Sequence, residues 1–228
     1  MTISIIIPTY NESALIEKLV TYLISHGGRS LLEVIISDGG STDDTMRIAE
    51  MAGATAILSP DKGRASQMNY GAGIAKGDVF YFIHADCYPP TTFVKDIMLA
   101  INNNNDLGRY RTRFDSDKWI LKFNAWLTRF DLFVCMGGDQ TLFIKKYLFE
   151  KCKGFKSEMK IMEEYEFCKR ARQHGRYTIL KGMALISARK YNRNGWLSVQ
   201  FANAKIISMY HKGATQIEMV NTYNRMLK

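Results

Sequence analysis

Long hydrophobic runs are missing from this sequence. Runs such as those at residues 5–7 and 79–83 have the length of β-strands, far short of the ~18 apolar residues that a membrane-spanning helix takes. No basic segment followed by an apolar stretch opens the chain, so a cleaved secretory signal is not expected. Cysteine is sparse: Cys87, Cys135, Cys152 and Cys168 are widely separated, with no Cys-x-x-Cys pair. That spacing excludes a disulfide scaffold, argues against structural zinc, and fits reduced thiols in the cytoplasm.

Several catalytic signatures are absent as well. No Gly-x-x-x-x-Gly-Lys-Ser/Thr occurs, which removes a P-loop, and no Gly-x-Ser-x-Gly, which weakens an α/β-hydrolase reading. Gly71, Gly73 and Gly77 fail as a dinucleotide fingerprint. The third glycine would fall at Lys76, and the segment precedes a strand instead of following one.

What is present is an ordinary globular composition. Over 228 residues the chain is 46% hydrophobic and 23% charged, with twelve Phe and twelve Tyr to fill a core. Such a length buries a substantial core without staples. No linker, repeat or composition break divides it, so one domain is expected over residues 1–228. The unusual number is the charge: 31 Lys and Arg against 22 Asp and Glu leave +9. That excess suits nucleic acid, a membrane surface, a phosphate-rich substrate or a plain solvated surface. Its densest cluster is Arg109, Arg111 and Arg113, spaced by two.

The first hundred residues alternate strand and helix signals. Strands are expected at 4–8, 34–36, 54–58 and 79–83, with helices at about 15–24, from Thr42 or Asp43 to Met51, and 65–75. This βαβαβαβ order argues for an α/β fold with a mainly parallel sheet covered by helices. Ligands of such sheets bind beyond the carboxyl ends of the strands. The segments found there, Thr9-Tyr10-Asn11-Glu12, Asp38-Gly39-Gly40-Ser41 and His84-Ala85-Asp86, are polar and should converge on one rim. In the second half, helices are expected around Trp119, Phe123 and Trp126, from about Glu163, and over 196–210. Short strands are expected at 141–144, with a strand pair at 177–180 and 184–187. The 196–210 helix carries Leu197, Phe201, Ala204 and Ile207 on one face, either packed on the core or lying at a membrane interface.

These motifs carry a resemblance. Residues 4–12 and 37–45, then Gly63-Arg64-Ala65, Asn69, Gly71, Ala75, Gly77-Asp78 and His84-Ala85-Asp86, look like a family 2 glycosyltransferase. The similarity resumes at Gly137-Gly138-Asp139-Gln140, Gly154-Phe155 and Glu163-Glu164, and the ordered set is more specific than any one motif. The short length and the His-Ala-Asp triplet resemble a compact bacterial subgroup. The resemblance implies a GT-A fold, with a nucleotide-sugar-binding half at about 1–100 and an acceptor-binding half at about 101–228. It implies an inverting transfer of sugar from a nucleoside diphosphate donor, UDP-linked by preference, to an acceptor hydroxyl.

On that pattern Pro8, Tyr10, Asn11 and Glu12 line the nucleoside pocket, and Asp38 hydrogen-bonds the base or merely caps its turn. Arg64 contacts base or diphosphate, or is a surface arginine. Asp86 matches the last acid of the family's Asp-x-Asp and would bind Mn²⁺ or Mg²⁺. His84 stands where the first acid is usual, leaving ligation, donor contact or simple packing open. Glu164 aligns with the general base, a Glu in place of the usual Asp, with Glu163 as its rival. Asp139 faces the acceptor side or forms a turn. Arg189 lies where relatives set a basic group against the departing diphosphate, although Gln-x-x-Arg-Trp is absent. The expected partners are the nucleotide sugar and an acceptor that is a glycan, a lipid-linked molecule or a small molecule; nucleic acid is not expected. The expected location is cytoplasmic, with peripheral contact at the inner membrane face left open. A catalytically weak nucleotide-sugar-binding or assembly protein of the same fold is the alternative. A sugar-phosphate nucleotidyltransferase lacks support because its Gly-rich N-terminal loop is missing.

Overall fold

In the computed structural model, residues 1–131 and 140–227 are described. The chain begins β1 (Ile3–Thr9), α1 (Ser13–Gly27), a short 3₁₀ turn, β2 (Leu31–Asp38), α2 (Thr45–Met51), β3 (Thr55–Leu58), α3 (Arg64–Ile74) and β4 (Val79–Phe82). It continues β5 (Cys87–Tyr88), α4 (Phe93–Asn102), β6 (Leu107–Phe114), α5 (Trp119–Leu127), β7 (Leu142–Lys145), α6 (Lys146–Lys151) and α7 (Glu163–Ala171). It ends β8 (Tyr177–Ile186), α8 (Arg189–Asn194), α9 (Trp196–His211) and α10 (Gln216–Met226).

One eight-stranded sheet runs β3-β2-β1-β4-β7-β6-β8-β5. The first four strands pair in parallel, β7 is antiparallel to β4 and β6, and β6 returns to parallel pairing with β8. The expected mainly parallel α/β sheet is therefore present. Every residue of β1 is buried, as a central parallel strand requires when helices cover both faces. Alternation along it feeds two cores. Ile3, Ile5 and Ile7 pack with α1 and α4, whereas Ile6 faces Met68 of α3 and the Phe80–Phe149–Phe155 aromatics. Pro8 is tolerated because β1 pairs with β4 only through Ile6.

Three local expectations change. The strand pair at 177–187 is one strand, β8. Against β6, Tyr110 pairs with Leu180 and Arg111 with Met183, so Lys181-Gly182 bulge out of register. A Cβ on Gly182 would meet the Tyr110 ring at 2.9 Å and Pro90 at 3.0 Å, so the glycine marks a close approach, not a hairpin turn. The Arg109–Arg113 cluster lies within β6, where a spacing of two sets all three on one face. Arg109 is buried and donates to the carbonyls of Tyr110 and Phe130, both at 3.3 Å, and only Arg113 is fully exposed. In α9 the face against the core is Val199, Ala202 and Ile206, while Leu197 and Phe201 project into solvent.

Gly108 lies where β6 is squeezed between β7 and β8. An added Cβ would stand 2.4 Å from the Thr178 carbonyl oxygen and 2.6 Å from Phe143. Backbone cannot yield as a side-chain tip can, so Gly108→Ala is expected to cost about 3 kcal/mol. Urea denaturation checks this; a loss below about 0.5 kcal/mol would show that the strands separate freely here.

Candidate functional site

The three polar segments do meet. Gly39 N donates to Thr9 O at 2.9 Å, and Asn11 N donates to the Ser41 hydroxyl at 2.8 Å. Thr42 N returns a bond to Asn11 Oδ1 at 2.8 Å, and Glu12 N donates to the Thr45 hydroxyl at 2.9 Å. Asn11 takes φ +54°, a left-handed turn that Asn accepts more readily than most residues. Tyr10 is exposed beside Lys62, whose Nζ lies 5.9 Å from the ring centroid. Pro8 is not on this surface but buried in β1 opposite Ser37.

Asp38 is 0% exposed. Its carboxylate accepts from the Thr9 hydroxyl at 2.8 Å, Gly40 N at 2.9 Å, and both N and hydroxyl of Ser41 at 2.6 Å. Those four donors leave it building its own turn, the cap-like reading open from the sequence. Asp43 accepts from Ser13 N at 3.2 Å and Thr45 N at 3.1 Å, so it braces the starts of α1 and α2. The Thr45 hydroxyl bond pulls its carboxyl down to about 2. Gln67, which the sequence reading missed, spans the same rim: its amide donates to Thr9 O at 2.7 Å and Ser37 O at 2.8 Å. A lone glutamine within a helix carries no sequence signal for that role.

Beyond the rim lies a cavity of about 1020 Å³. One wall carries Glu12, Arg64, Asp86, Glu163 and Arg189; α5, α9 and α10 supply Asn124, Gln200, Asn203 and Asn224 opposite. Four acid–base contacts organise the charges. Arg189 stands between Asp86, at 3.2 Å, and Glu12, at 3.7 Å. Burial raises the Glu12 carboxyl above its ordinary value; Arg189 opposes this shift and the Asp86 charge adds to it. Arg64 Nε lies 2.9 Å from Glu163 Oε1, and His84 Nε2 lies 3.3 Å from Glu164 Oε1.

The two adjacent glutamates therefore differ in surroundings. Glu163 is 1% exposed, borders the large cavity and faces a guanidinium. Glu164 is 9% exposed and borders a small void of about 20 Å³ with Arg109, Gln140 and Cys168. Gln140 also borders the large cavity, so the two spaces adjoin. Burial pushes the Glu164 carboxyl above its ordinary value, with the His84 contact opposing. The residue before them, Met162, holds φ +66° at the start of α7. A non-glycine residue in this region is strained, and here it sets the angle at which both acids leave the helix end. Asp139 lies outside the described residues.

Among the described residues, no three His, Cys, Asp or Glu side chains come together to hold a metal. A Mg²⁺ or Mn²⁺ that arrives with a diphosphate needs only one or two protein carboxylates, the phosphates supplying the rest. Asp86, with Glu12 beside it, fits that requirement. Both carboxylates face the cavity.

Sequence comparison adds relatives to this geometry. Residues 4–157 match the family model described as glycosyl transferase family 2. A dolichol-phosphate mannosyltransferase of Pyrococcus furiosus is 30% identical over 112 residues, covering 47% of this chain and 32% of that protein. A glucosyl-3-phosphoglycerate synthase of Mycobacterium tuberculosis is 32% identical over 99 residues, covering 39% of this chain and 30% of that protein. The chain thus spans about a third of the length of these curated relatives.

Among solved structures, S. aureus TarS residues 1–349 in complex with UDP superposes with TM-score 0.67 at 17% identity, covering 99% of this chain and 70% of that one. The M. tuberculosis glucosyl-3-phosphoglycerate synthase with Mn²⁺, UDP-glucose and phosphoglyceric acid gives TM-score 0.63 at 16% identity, covering 93% of this chain and 80% of that one. At such identities the likeness is one of fold, the GT-A arrangement of sheet and helices. The family match reaches from β1 past α6 and takes in the polar rim and Asp86, so this chain belongs to glycosyl transferase family 2.

Proposed function

We propose that the cavity binds a nucleoside diphosphate sugar, UDP-linked by preference, and that the chain passes the sugar with inversion to an acceptor hydroxyl. The observation that carries this reading is the gathering of Asp86, Glu163, Arg64 and Arg189 around one cavity, with Glu164, paired to His84, at the adjoining void. UDP in the TarS structure, and Mn²⁺ with UDP-glucose in the synthase structure, support the donor class.

In this reading, residues 1–100 form the donor half and residues 101–228 the acceptor half of one domain. Tyr10, Asn11 and the Asp38-braced turn receive the nucleoside. Asp86, with Glu12, would hold a divalent ion, Mn²⁺ or Mg²⁺, which would supply positive charge against the leaving diphosphate. Arg64 and Arg189 are positioned to offset that charge as well. Glu164 takes the proton of the acceptor hydroxyl as its oxygen attacks the anomeric carbon, and that carbon's bond to the diphosphate breaks. A raised carboxyl suits Glu164 to the role of base, because it brings the conjugate acid nearer neutral pH. Glu163, held against Arg64, shapes the donor side. His84 positions Glu164. The acceptor is any hydroxyl-bearing molecule that fits the amide-lined far wall.

A thermal-shift series with UDP, GDP and their sugars, with and without Mn²⁺, tests donor binding without an acceptor in hand. A rise in Tm of several degrees with UDP and Mn²⁺ is the expected result. Asp86→Asn should remove the Mn²⁺-dependent part and slow release of UDP about a hundredfold. Full turnover by that variant would sink the assignment of Asp86. Binding of UDP with no product from a broad donor and acceptor panel would leave a nucleotide-sugar-binding protein instead.

A further inference from the structure

Two helices flanking the cavity carry apolar side chains that the fold leaves uncovered. On α5 and the turn after it, Trp119, Phe123, Trp126 and Phe130 follow at steps of four, three and four, and each is at least 40% exposed. At 100° per residue these positions fall within about 60° of one another. The same helix turns Leu121 to the core, and Asn124 and Leu127 to the cavity. The ridge is already assembled: Phe123 stacks with Trp126 at 6.1 Å, and Trp126 meets Phe130 edge-on at 4.9 Å. On α9, Leu197 and Phe201 are 63% and 66% exposed, beside the face that gives Gln200 and Asn203 to the cavity. Lys118 Nζ donates to Asn192 Oδ1 at 3.0 Å, tying the start of α5 to α8 just before α9.

Along α8 and α9 the charge has one sign, while beside α5 exposed Asp117 pairs with Lys122 at 3.2 Å. From residue 167 to residue 217 the sequence holds ten Lys and Arg and no Asp or Glu. This stretch includes the whole of α8 and α9. Exposed Arg193 and Lys205 flank Leu197 and Phe201, and exposed Lys118 and Lys122 interleave with the α5 ridge. Arg129 lies over the Trp126 ring at 5.0 Å.

We infer that this chain docks on an anionic lipid bilayer through the α5 ridge and the exposed face of α9, which sets the cavity mouth at the membrane surface. Indole and phenyl rings enter the headgroup boundary, Lys and Arg stems lie along it, and their charges meet anionic headgroups. The inference stands apart from the transfer chemistry, because it concerns surfaces outside the donor-side wall.

Flotation of the full chain with vesicles tests it, using phosphatidylcholine alone and phosphatidylcholine mixed with phosphatidylglycerol. Wild-type protein should float with the anionic vesicles, less so in added salt, with a blue shift of tryptophan emission. Trp119→Ser combined with Trp126→Ser should weaken partitioning about tenfold or more, with Tm unchanged because both rings are exposed. Lys118→Glu combined with Lys122→Glu, which gives up the surface contacts with Asn192 and Asp117 and so is checked for an intact fold by Tm, should reduce the preference for anionic vesicles. Folded wild-type protein that floats with neither vesicle overturns the inference, as does equal flotation of the double-serine variant. A solution dimer whose tryptophan emission is already blue-shifted assigns the ridge to a second copy, and overturns it too.

Discussion

Glu164→Gln is expected to lower kcat for glycosyl transfer by about 10²–10⁴-fold, while the thermal shift with UDP stays within a degree of wild type. The amide keeps the shape and the contact with His84 but accepts no proton. Glu163→Gln should behave differently. It weakens the partner of Arg64 at 2.9 Å, so its loss should fall more on donor KM than on kcat. If Glu163→Gln carries the large kcat loss and Glu164→Gln does not, the assignment of the base reverses. The pH profile gives a second handle. Burial raises the Glu164 carboxyl, and the base works only when ionised. The acid limb of kcat should therefore lie above the ordinary glutamate value of 4.5, with activity falling as pH drops through it. The His84 contact opposes that rise, so His84→Asn should move the limb to higher pH. A limb that stays in place would show that His84 does not act through Glu164.

The second large effect is on stability. Asp38→Ala strips the acceptor from four donors at 2.6–2.9 Å in a site with no solvent exposure. Hydrogen bonds to a charged acceptor contribute roughly 1.5–3 kcal/mol each and do not add, so a loss of about 3–5 kcal/mol is expected by urea denaturation. Asp38→Asn keeps one oxygen and should lose about half of that. Because the turn also supports Asn11 through Ser41 and Thr42, UDP binding should weaken in step with the stability loss. Undiminished stability with lost UDP binding would instead return Asp38 to direct contact with the base.

Much of the first half was legible because its signals are local. Consecutive β-branched residues at 5–7, the apolar stripe of α1 and the Gly27-Gly28 stop each act within one element, and observed β1 and α1 extend the expected bounds by one to a few residues. The second half was less legible because its pairing is long-range. β6 reads as a basic stretch until β7 and β8 are placed on either side of it, when its first four residues, Arg109 among them, become interior. The Lys181-Gly182 bulge is indistinguishable from a turn without its partner strand. α10 and its Thr215–Glu218 capping box were present in the sequence but unread, although each side chain of that pair caps the other's backbone N–H.

By itself the sequence determined the order of strands and helices, the polar segments at the strand ends, and the family, because ordered short motifs and hydrophobic period survive without coordinates. It also supplied an unequal division of charge, with the excess of cations carried largely by residues 167–217. Only the tertiary structure decided which partner each charge meets: Arg64 on Glu163, His84 on Glu164, Arg189 between Glu12 and Asp86. Those partners lie 80 to 177 positions apart in the chain, a separation no local pattern encodes. Burial was decided there too. Asp38 and Tyr10 stand in adjacent segments of one motif, yet one is enclosed by its own turn and the other faces solvent, because neighbouring strands close over the first and stop short of the second.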